Sequence, residues 1–178
     1  TEAGVLSISV SNIEDLFAND SSTDLAEFFK KYSNVIENCA VRNGGYLSMI
    51  VAQEALCTLP KRGDEDMPFA VCALAREIVV HVQNMIMREH PNNELSKSVV
   101  NIGIDCGKVI VTRETSPLGT LGSVVDTARA LRKDCPKNTS MVLVSEAIHA
   151  SAGAQVILAY YCETIIAPER KIKAYRLC

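Results

Sequence analysis

The first third of the chain changes from a strand pattern to a helix pattern and back. Val5–Val10 alternate apolar and small polar residues with the period of a half-buried strand. After the capping residues Ser21–Asp24, apolar residues recur three and four positions apart until Asn43–Gly45, a typical helix stop signal. Gly44–Leu59 then predict two short strands around a tight turn. The apolar face of the predicted helix consists of Leu25, Phe28, Phe29, Tyr32, Val35 and Ile36.

The middle of the chain predicts a second, longer helix over Phe69–Arg88. A polar loop, His90–Asn93, separates it from a strand pattern over Val99–Val111. The buried stripe of the helix is expected to consist of Val71, Leu74, Ala75, Ile78, Val79, Val82 and Ile86.

The glycines Gly103, Gly107 and Gly122 are expected to mark a hairpin and then the start of a helix that runs through Arg132. Met141–Val144 predict a short buried strand. The resulting order is β-α-β-β-α-β, followed by a further helix and closing strands. This order predicts an α+β fold with a mixed or mainly antiparallel sheet and helices packed on it.

Composition favours one globular domain, over residues 1–178. The chain has 178 residues, of which 48% are hydrophobic and 22% charged, and its net charge is −3. That charge, without a block of like charges, predicts no nucleic-acid partner and no direct membrane contact. No signal peptide opens the chain and no apolar run approaches the ~20 residues of a membrane span. Because the first residue is Thr1 rather than Met, we expect a piece excised from a larger protein.

The seven cysteines are an odd number and contain no Cys-x-x-Cys pair. This pattern argues against a disulfide framework and a zinc ribbon, and it favours a reducing, cytoplasmic setting. The cysteines are expected to be small core residues, with redox sensing at Cys106 or Cys135 as the alternative. The histidines His81, His90 and His149 are too scattered to predict a metal site or a triad.

The paired motifs Ile102-Gly103-Ile104-x-x-Gly107 and Gly122-x-x-Val125 follow Val5–Val10 and Gly44–Leu59 in a distinctive order. In order and spacing, these segments resemble the class III adenylyl/guanylyl cyclase catalytic domain. The resemblance extends to Lys171–Leu177, which is similar to the last strand of that family. It implies a ferredoxin-like βαββαβ core with an additional helix and C-terminal strands.

In that family, one Asp after the first strand and a second Asp in the following hairpin hold two magnesium ions against the nucleotide triphosphate. The resemblance places Asn12 at the first position and Gln53 at the second. Two amides remove about two formal negative charges from a site for hard dications, so magnesium or manganese is expected to be lost. A displaced site could use neighbouring acids, but the favoured interpretation is that these are solvated loop acids: Glu14, Asp15 and Glu54.

The nucleotide half of the family's site is altered as well. Its purine-reading residues fall on Met49 and Gly119, and its ribose-orienting Asn falls on Asp126. The Arg that stabilises the transition state falls on Ala130, while Arg129 is one residue away and would point about 100° aside on a helix.

The resemblance therefore implies a catalytically inactive cyclase-like domain, retained as a dimerisation or regulatory module of a larger signalling or cytoskeletal protein. The partner is expected to be a second copy or another cyclase-like domain, with the loop Arg113–Leu121 on the shared face. Two alternatives remain: a nucleotide-binding sensor without turnover, and a cyclase that works through a composite site with a competent partner.

Overall fold

The computed structural model describes residues 1–13, 22–89, 98–112 and 119–178. Several predicted features lie outside this part of the chain: Ser21, the side chains of Ser22 and Thr23, the acids Glu14 and Asp15, the loop His90–Asn93 and residues 113–118 of the Arg113–Leu121 loop. The described elements are β1 (Glu2–Ser11), α1 (Ser22–Arg42), β2 (Tyr46–Val51), β3 (Glu54–Pro60), α2 (Met67–Glu89), β4 (Val99–Lys108), β5 (Ile110–Thr112), β6 (Gly119–Leu121), α3 (Ser123–Lys133), β7 (Met141–Ser145), α4 (Glu146–Ser151), β8 (Leu158–Ala167) and β9 (Arg170–Leu177).

Seven strands form one mixed sheet in the order β2-β3-β1-β4-β7-β9-β8. The first four strands with α1 and α2 make the ferredoxin-like βαββαβ core, and the C-terminal strands extend the sheet beyond β4. The β4–β7 pair is parallel, whereas the other neighbours are antiparallel. The predicted α+β fold is confirmed.

The sheet has helices on both faces. On one face, α1 and α2 cover Leu6, Ile8 and Val10 of β1 in the largest apolar cluster. On the other face, α3 covers Ala3 and Val5. The prediction of a half-buried first strand is therefore wrong, because nearly every residue of β1 is buried, the small polar ones included.

The region after β4 differs from the predicted hairpin. β4 runs without interruption through Gly103, and β5 pairs with β6 in a separate two-stranded ribbon. A Cβ at Gly103 would overlap the carbonyl oxygen of Ala128, so this glycine lets α3 pack directly on the strand. Gly103 therefore serves close packing rather than a turn.

The long helix α2 has its predicted stripe packed in the core, where Val71, Leu74, Ile78 and Val82 are fully buried. By length and composition alone this helix could cross a membrane, although no apolar run in the sequence predicted a membrane span. That finding is weak, since the core helix of a globular domain meets the same condition.

All seven cysteines are free, and four of them are buried. Burial raises the pKa of the Cys135 thiol to about 12, and burial also raises the pKa of Cys106. Both thiols are therefore held protonated, which disfavours the redox-sensing alternative.

Candidate functional site

The positions aligned with the metal ligands lie at one end of the sheet. Asn12 directly follows β1, and Gln53 lies in the turn between β2 and β3. The antiparallel register pairs Ser9 with Glu54, which brings these two chain segments to the same end. Both amide side chains are exposed, and Asn12 Nδ2 lies 3.5 Å from the carbonyl oxygen of Lys137. Asn12 has φ +65°, a conformation that Asn adopts more readily than most residues.

The β2–β3 turn retains a backbone that suits glycine. Ala52 has φ +50°, in the left-handed region that costs an L-residue roughly 1–2 kcal/mol. The resemblance that places Gln53 at the second metal position also places Ala52 where that family has a glycine. The buried Tyr32 hydroxyl donates to the Gln53 carbonyl at 3.2 Å and anchors the turn to α1. Burial raises the pKa of Tyr32, so its hydroxyl remains protonated and able to donate.

Glu54 is the centre of an ion-pair cluster beside this turn. Its Oε1 lies 3.1 Å from Arg129 Nε, and its Oε2 lies 3.3 Å from an amino nitrogen of Arg132. Arg129 also contacts Met49 Sδ at 3.3 Å, and Arg132 Nε donates to Ser7 Oγ at 2.9 Å. The interpretation of Glu54 as a solvated loop acid is therefore wrong, because its side chain is only 28% exposed and paired with two guanidinium groups.

The same cluster corrects the expectation for Arg129. A one-residue offset does turn its Cα–Cβ bond away from that of Ala130, but the guanidinium lies at the end of a long side chain and reaches back to the sheet. Ala130 itself is half-buried, and Asp126 is exposed in the first turn of α3. A carboxylate there interacts favourably with the helix dipole, which gives Asp126 a structural role.

Hydroxyl groups fill the region near Met49 and Gly119. Ser48 Oγ, Thr58 Oγ1 and Thr120 Oγ1 lie 2.6 to 3.0 Å from one another in a buried triangle. This hydroxyl cluster joins three strands, since Ser48 lies in β2, Thr58 in β3 and Thr120 in β6. Thr120 directly follows Gly119. Each hydroxyl can both donate and accept, so the triangle satisfies itself without a ligand.

Sequence reasoning missed Ser7, Arg132 and the hydroxyl cluster. A signal was present in β1, where Ser7 and Ser9 occupy the second face of a strand whose other face is wholly apolar. Two polar residues on a buried face require hydrogen-bond partners, and Arg132 supplies one of them.

The donors at this end of the sheet do not fit two hard dications. Asn12 and Gln53 offer neutral amide oxygens, whereas magnesium and manganese favour carboxylates. The neighbouring carboxylate of Glu54 already accepts a hydrogen bond from Arg129 and forms an ion pair with Arg132, and the charges of both arginines oppose an incoming cation. Glu14 and Asp15, the other acids of the displaced-site alternative, lie outside the described residues.

No family model and no curated protein matches the chain. Among solved structures, the chain is similar to the adenylyl cyclase CyaB from P. aeruginosa, with a TM-score of 0.84 at 12% identity over 99% of this chain and 93% of that chain. The guanylyl cyclase Cya2 gives a TM-score of 0.77 at 13% identity over 99% and 91% of the two chains.

The guanylate cyclase domain of RhGC from Catenaria anguillulae, solved in complex with GTP, gives a TM-score of 0.73 at 14% identity, with 99% of this chain and 96% of that chain covered. At such low identity the likeness establishes the fold. The chain has the fold of class III adenylyl and guanylyl cyclase catalytic domains, as its motifs implied.

Proposed function

We propose that this cyclase-like domain is catalytically inactive and serves as a dimerisation or regulatory module in a larger signalling or cytoskeletal protein. The observation that carries the proposal is the state of the metal end of the site. Amides occupy the two aligned positions, and the carboxylate beside them is held by Arg129 and Arg132.

Two-metal chemistry requires concentrated negative charge, because one ion activates the attacking oxygen while the other neutralises the leaving group. Here Asn12 and Gln53 contribute no charge, and the Glu54 cluster carries two positive charges against one negative charge. The nucleotide half is also unsuited, since Ala130 lacks a guanidinium and Asp126 carries a charge that repels a triphosphate.

Association is supported by an exposed apolar surface on the β5–β6 ribbon. Ile110 and Leu121 are cross-strand partners and are 68% and 58% exposed. Their neighbours Val111 and Thr120 point inward, Val111 against the α3-side apolar cluster and Thr120 into the hydroxyl cluster. Val51, at the end of β2, is also exposed. Adjacent exposed apolar side chains of this kind mark partner surfaces, and the proposed occupant is a second cyclase-like domain.

Turnover and binding are tested together with the purified 178-residue protein. We expect no cyclic AMP or cyclic GMP from ATP or GTP with manganese, and no calorimetric signal for either nucleotide. Nucleotide binding without product would favour the sensor alternative. Product that disappears in Glu54→Gln would contradict inactivity, and product formed only with a competent cyclase subunit would support the composite site.

A restoring variant tests the assignment of the two metal positions. Asn12→Asp with Gln53→Asp should raise manganese affinity without restoring turnover, because hard cations gain mainly from ligand charge. The matched control is Asn34→Asp with Gln155→Asp, which adds the same charge at exposed positions elsewhere. Equal manganese affinity in the two variants would mean that Asn12 and Gln53 do not mark a metal position.

The partner surface is tested by sedimentation. Ile110→Asp and Leu121→Asp should weaken self-association, or association with the rest of the parent protein, while the melting temperature changes little. Val80→Asp is the control, since Val80 is 53% exposed on α2, away from the ribbon. A monomer at high concentration, for both this domain and its parent, would remove the dimerisation proposal.

A further inference from the structure

The helices α1 and α2 bring together three side chains with metal-binding donors, away from the cyclase-like site. Cys39 lies on α1, and Glu77 and His81 lie one turn apart on the same side of α2. One donor atom from each residue (the sulfur, a carboxylate oxygen and an imidazole nitrogen) lies within 4.8 Å of the other two. No local pattern in the sequence predicts this cluster, because Cys39 and His81 are 42 positions apart.

The cluster already holds a cation, the guanidinium of Arg42. An amino nitrogen of Arg42 lies 2.6 Å from Glu77 Oε1 and 3.6 Å from Cys39 Sγ, between two of the donors. The Arg42 side chain is 58% exposed, so it can leave the cluster for solvent at little cost. Asn43 Nδ2 donates to Glu77 Oε2 at 2.8 Å and fixes the orientation of the carboxylate.

We propose that Cys39, Glu77 and His81 form a site for a borderline-soft divalent cation of the zinc class. One thiolate, one imidazole and one carboxylate are the donor set that zinc accepts, and the half-exposed side of the cluster leaves a fourth position for water. On binding, the Cys39 thiol releases its proton to solvent, His81 coordinates as neutral imidazole, and Arg42 swings outward with its charge unchanged.

The geometry requires only side-chain movement. Zinc–ligand bonds of about 2.0–2.3 Å bring neighbouring donors to about 3.5 Å, closer than the present spread. His81 Nε2 is 3.9 Å from Glu77 Oε1, and both side chains are partly exposed and can rotate. Cys39 is buried and sets the position of the metal. The bound ion would join α1 to α2 and stabilise this side of the domain.

The Cys39 thiol proton and the softness of the donors determine which metals can bind the cluster. Burial raises the pKa of the Cys39 thiol, and the neighbouring Glu77 charge adds to this effect, so a metal must compete with the thiol proton. Hard cations such as magnesium gain little from thiolate and imidazole. We therefore expect zinc and cobalt to bind and magnesium to leave the cluster unchanged.

The test is a titration of the purified 178-residue protein with zinc, followed by cobalt as a spectroscopic probe. The expected result is one zinc equivalent, a higher melting temperature with zinc, and cobalt absorption from a thiolate ligand. Cys39→Ser and His81→Asn should each weaken zinc binding at least tenfold, because loss of even an outer-shell partner typically costs about 10–100-fold.

Controls separate this site from adventitious binding. Cys178→Ser and His149→Asn alter an exposed cysteine and an exposed histidine elsewhere, and they should keep full affinity. Arg42→Gln removes the competing guanidinium and should tighten zinc binding several-fold. His81→Asn keeps the test decisive if Cys39→Ser does not fold. The proposal would be overturned if zinc did not bind stoichiometrically, or if His81→Asn bound zinc as tightly as wild type. Unchanged zinc affinity in Arg42→Gln would show that the metal does not displace Arg42.

Discussion

The two faces of the sheet are built from the same strands but by different means. Toward α1 and α2, β1 and β4 present only apolar side chains: Leu6, Ile8, Val10, Ile102 and Ile104. Toward α3, the alternate positions include small or polar residues: Ser7, Ser9, Asn101, Gly103 and Asp105. The first face is held by apolar burial, whereas the second depends on hydrogen bonds and close backbone approach.

Polar groups on the α3 face are satisfied one by one. Asn101 Nδ2 donates to the Pro136 carbonyl at 2.9 Å, and its Oδ1 accepts from the Met141 amide at 3.2 Å. Ser145 Oγ donates to Asp105 Oδ1 at 2.6 Å. Deleting one partner leaves the other buried and unsatisfied, which costs about 1–3 kcal/mol, whereas a large cavity on the apolar face costs about 2–5 kcal/mol. Asn12 and Gln53 are exposed at the end of the sheet and belong to neither buried face, so amides at these positions cost the fold little.

The largest expected effect is on the apolar face. Ile102→Ala should lower the free energy of unfolding by about 2–5 kcal/mol, because Ile102 is fully buried and its loss leaves a cavity. Urea denaturation measures the change. The exposed Val80→Ala is the control and should stay within about 0.5 kcal/mol of wild type. A loss below about 1 kcal/mol for Ile102→Ala would contradict the contrast between the faces.

The next effect tests close packing under α3. Gly103→Ala should cost about 1–3 kcal/mol, because the added methyl group would overlap Ala128 O and the Arg132 amide. The matched control is Gly63→Ala, where an added Cβ meets no atom within 4 Å but φ is +51°. That variant reports backbone strain alone. A loss below about 0.5 kcal/mol for Gly103→Ala would contradict the crowding, because Gly103 has no positive φ and crowding is the expected source of its loss.

A smaller effect is expected from the Glu54 cluster. Glu54→Gln should lower the free energy of unfolding by about 1 kcal/mol, because Arg129 and Arg132 lose their shared counter-charge, and their partial exposure limits the loss. The loss should shrink at high salt. Glu2→Gln is the control, since Glu2 and Lys61 are well exposed and 3.8 Å apart, and it should change nothing measurable. A loss that does not depend on salt would contradict an electrostatic origin.

The smallest effect concerns Asp105 and depends on pH. Burial raises its pKa above the ordinary 3.8, while hydrogen bonds from Ser145, the Cys106 amide and Thr127 partly offset the shift. The folded state therefore holds the proton more tightly than the unfolded state, and the free energy of unfolding falls as pH rises through the interval between the two pKa values. Asp105→Asn should remove this fall.

The measurement is urea denaturation of wild type and Asp105→Asn across acidic and neutral pH. The free energy of unfolding of Asp105→Asn, relative to that of wild type, should increase as pH rises above 3.8. Below that pH this relative gain should disappear. Asp64→Asn, on a polar loop, is the control and should follow wild type. A difference that grows as pH falls would have the opposite sign and would rule out the role of burial.

Periodicity in the sequence determined most of the element order. The 3.6-residue stripe of α2 and the strand patterns of β1, β2 and β3 lie where they were predicted, within a few residues. These patterns are local, since each depends on the burial of one face of one element. The paired glycine motifs indicated the cyclase-like fold. Their spacing reflects the places where α3 packs closely on β4.

Only the tertiary structure decided what the side chains do. Glu54 and Arg132 are 78 positions apart, and Cys39 and His81 are 42 apart, so no local pattern relates them. The sheet register and the packing of α3 on β4 bring the first pair together, and the packing of α1 on α2 brings the second. The sequence, through its resemblance to the cyclases, predicts that Asn12 and Gln53 stand where that family has carboxylates, and this assignment stays a prediction. Long flexible side chains such as Arg129 find their partners only in the folded chain, because a guanidinium can reach several positions and the packed neighbours select one.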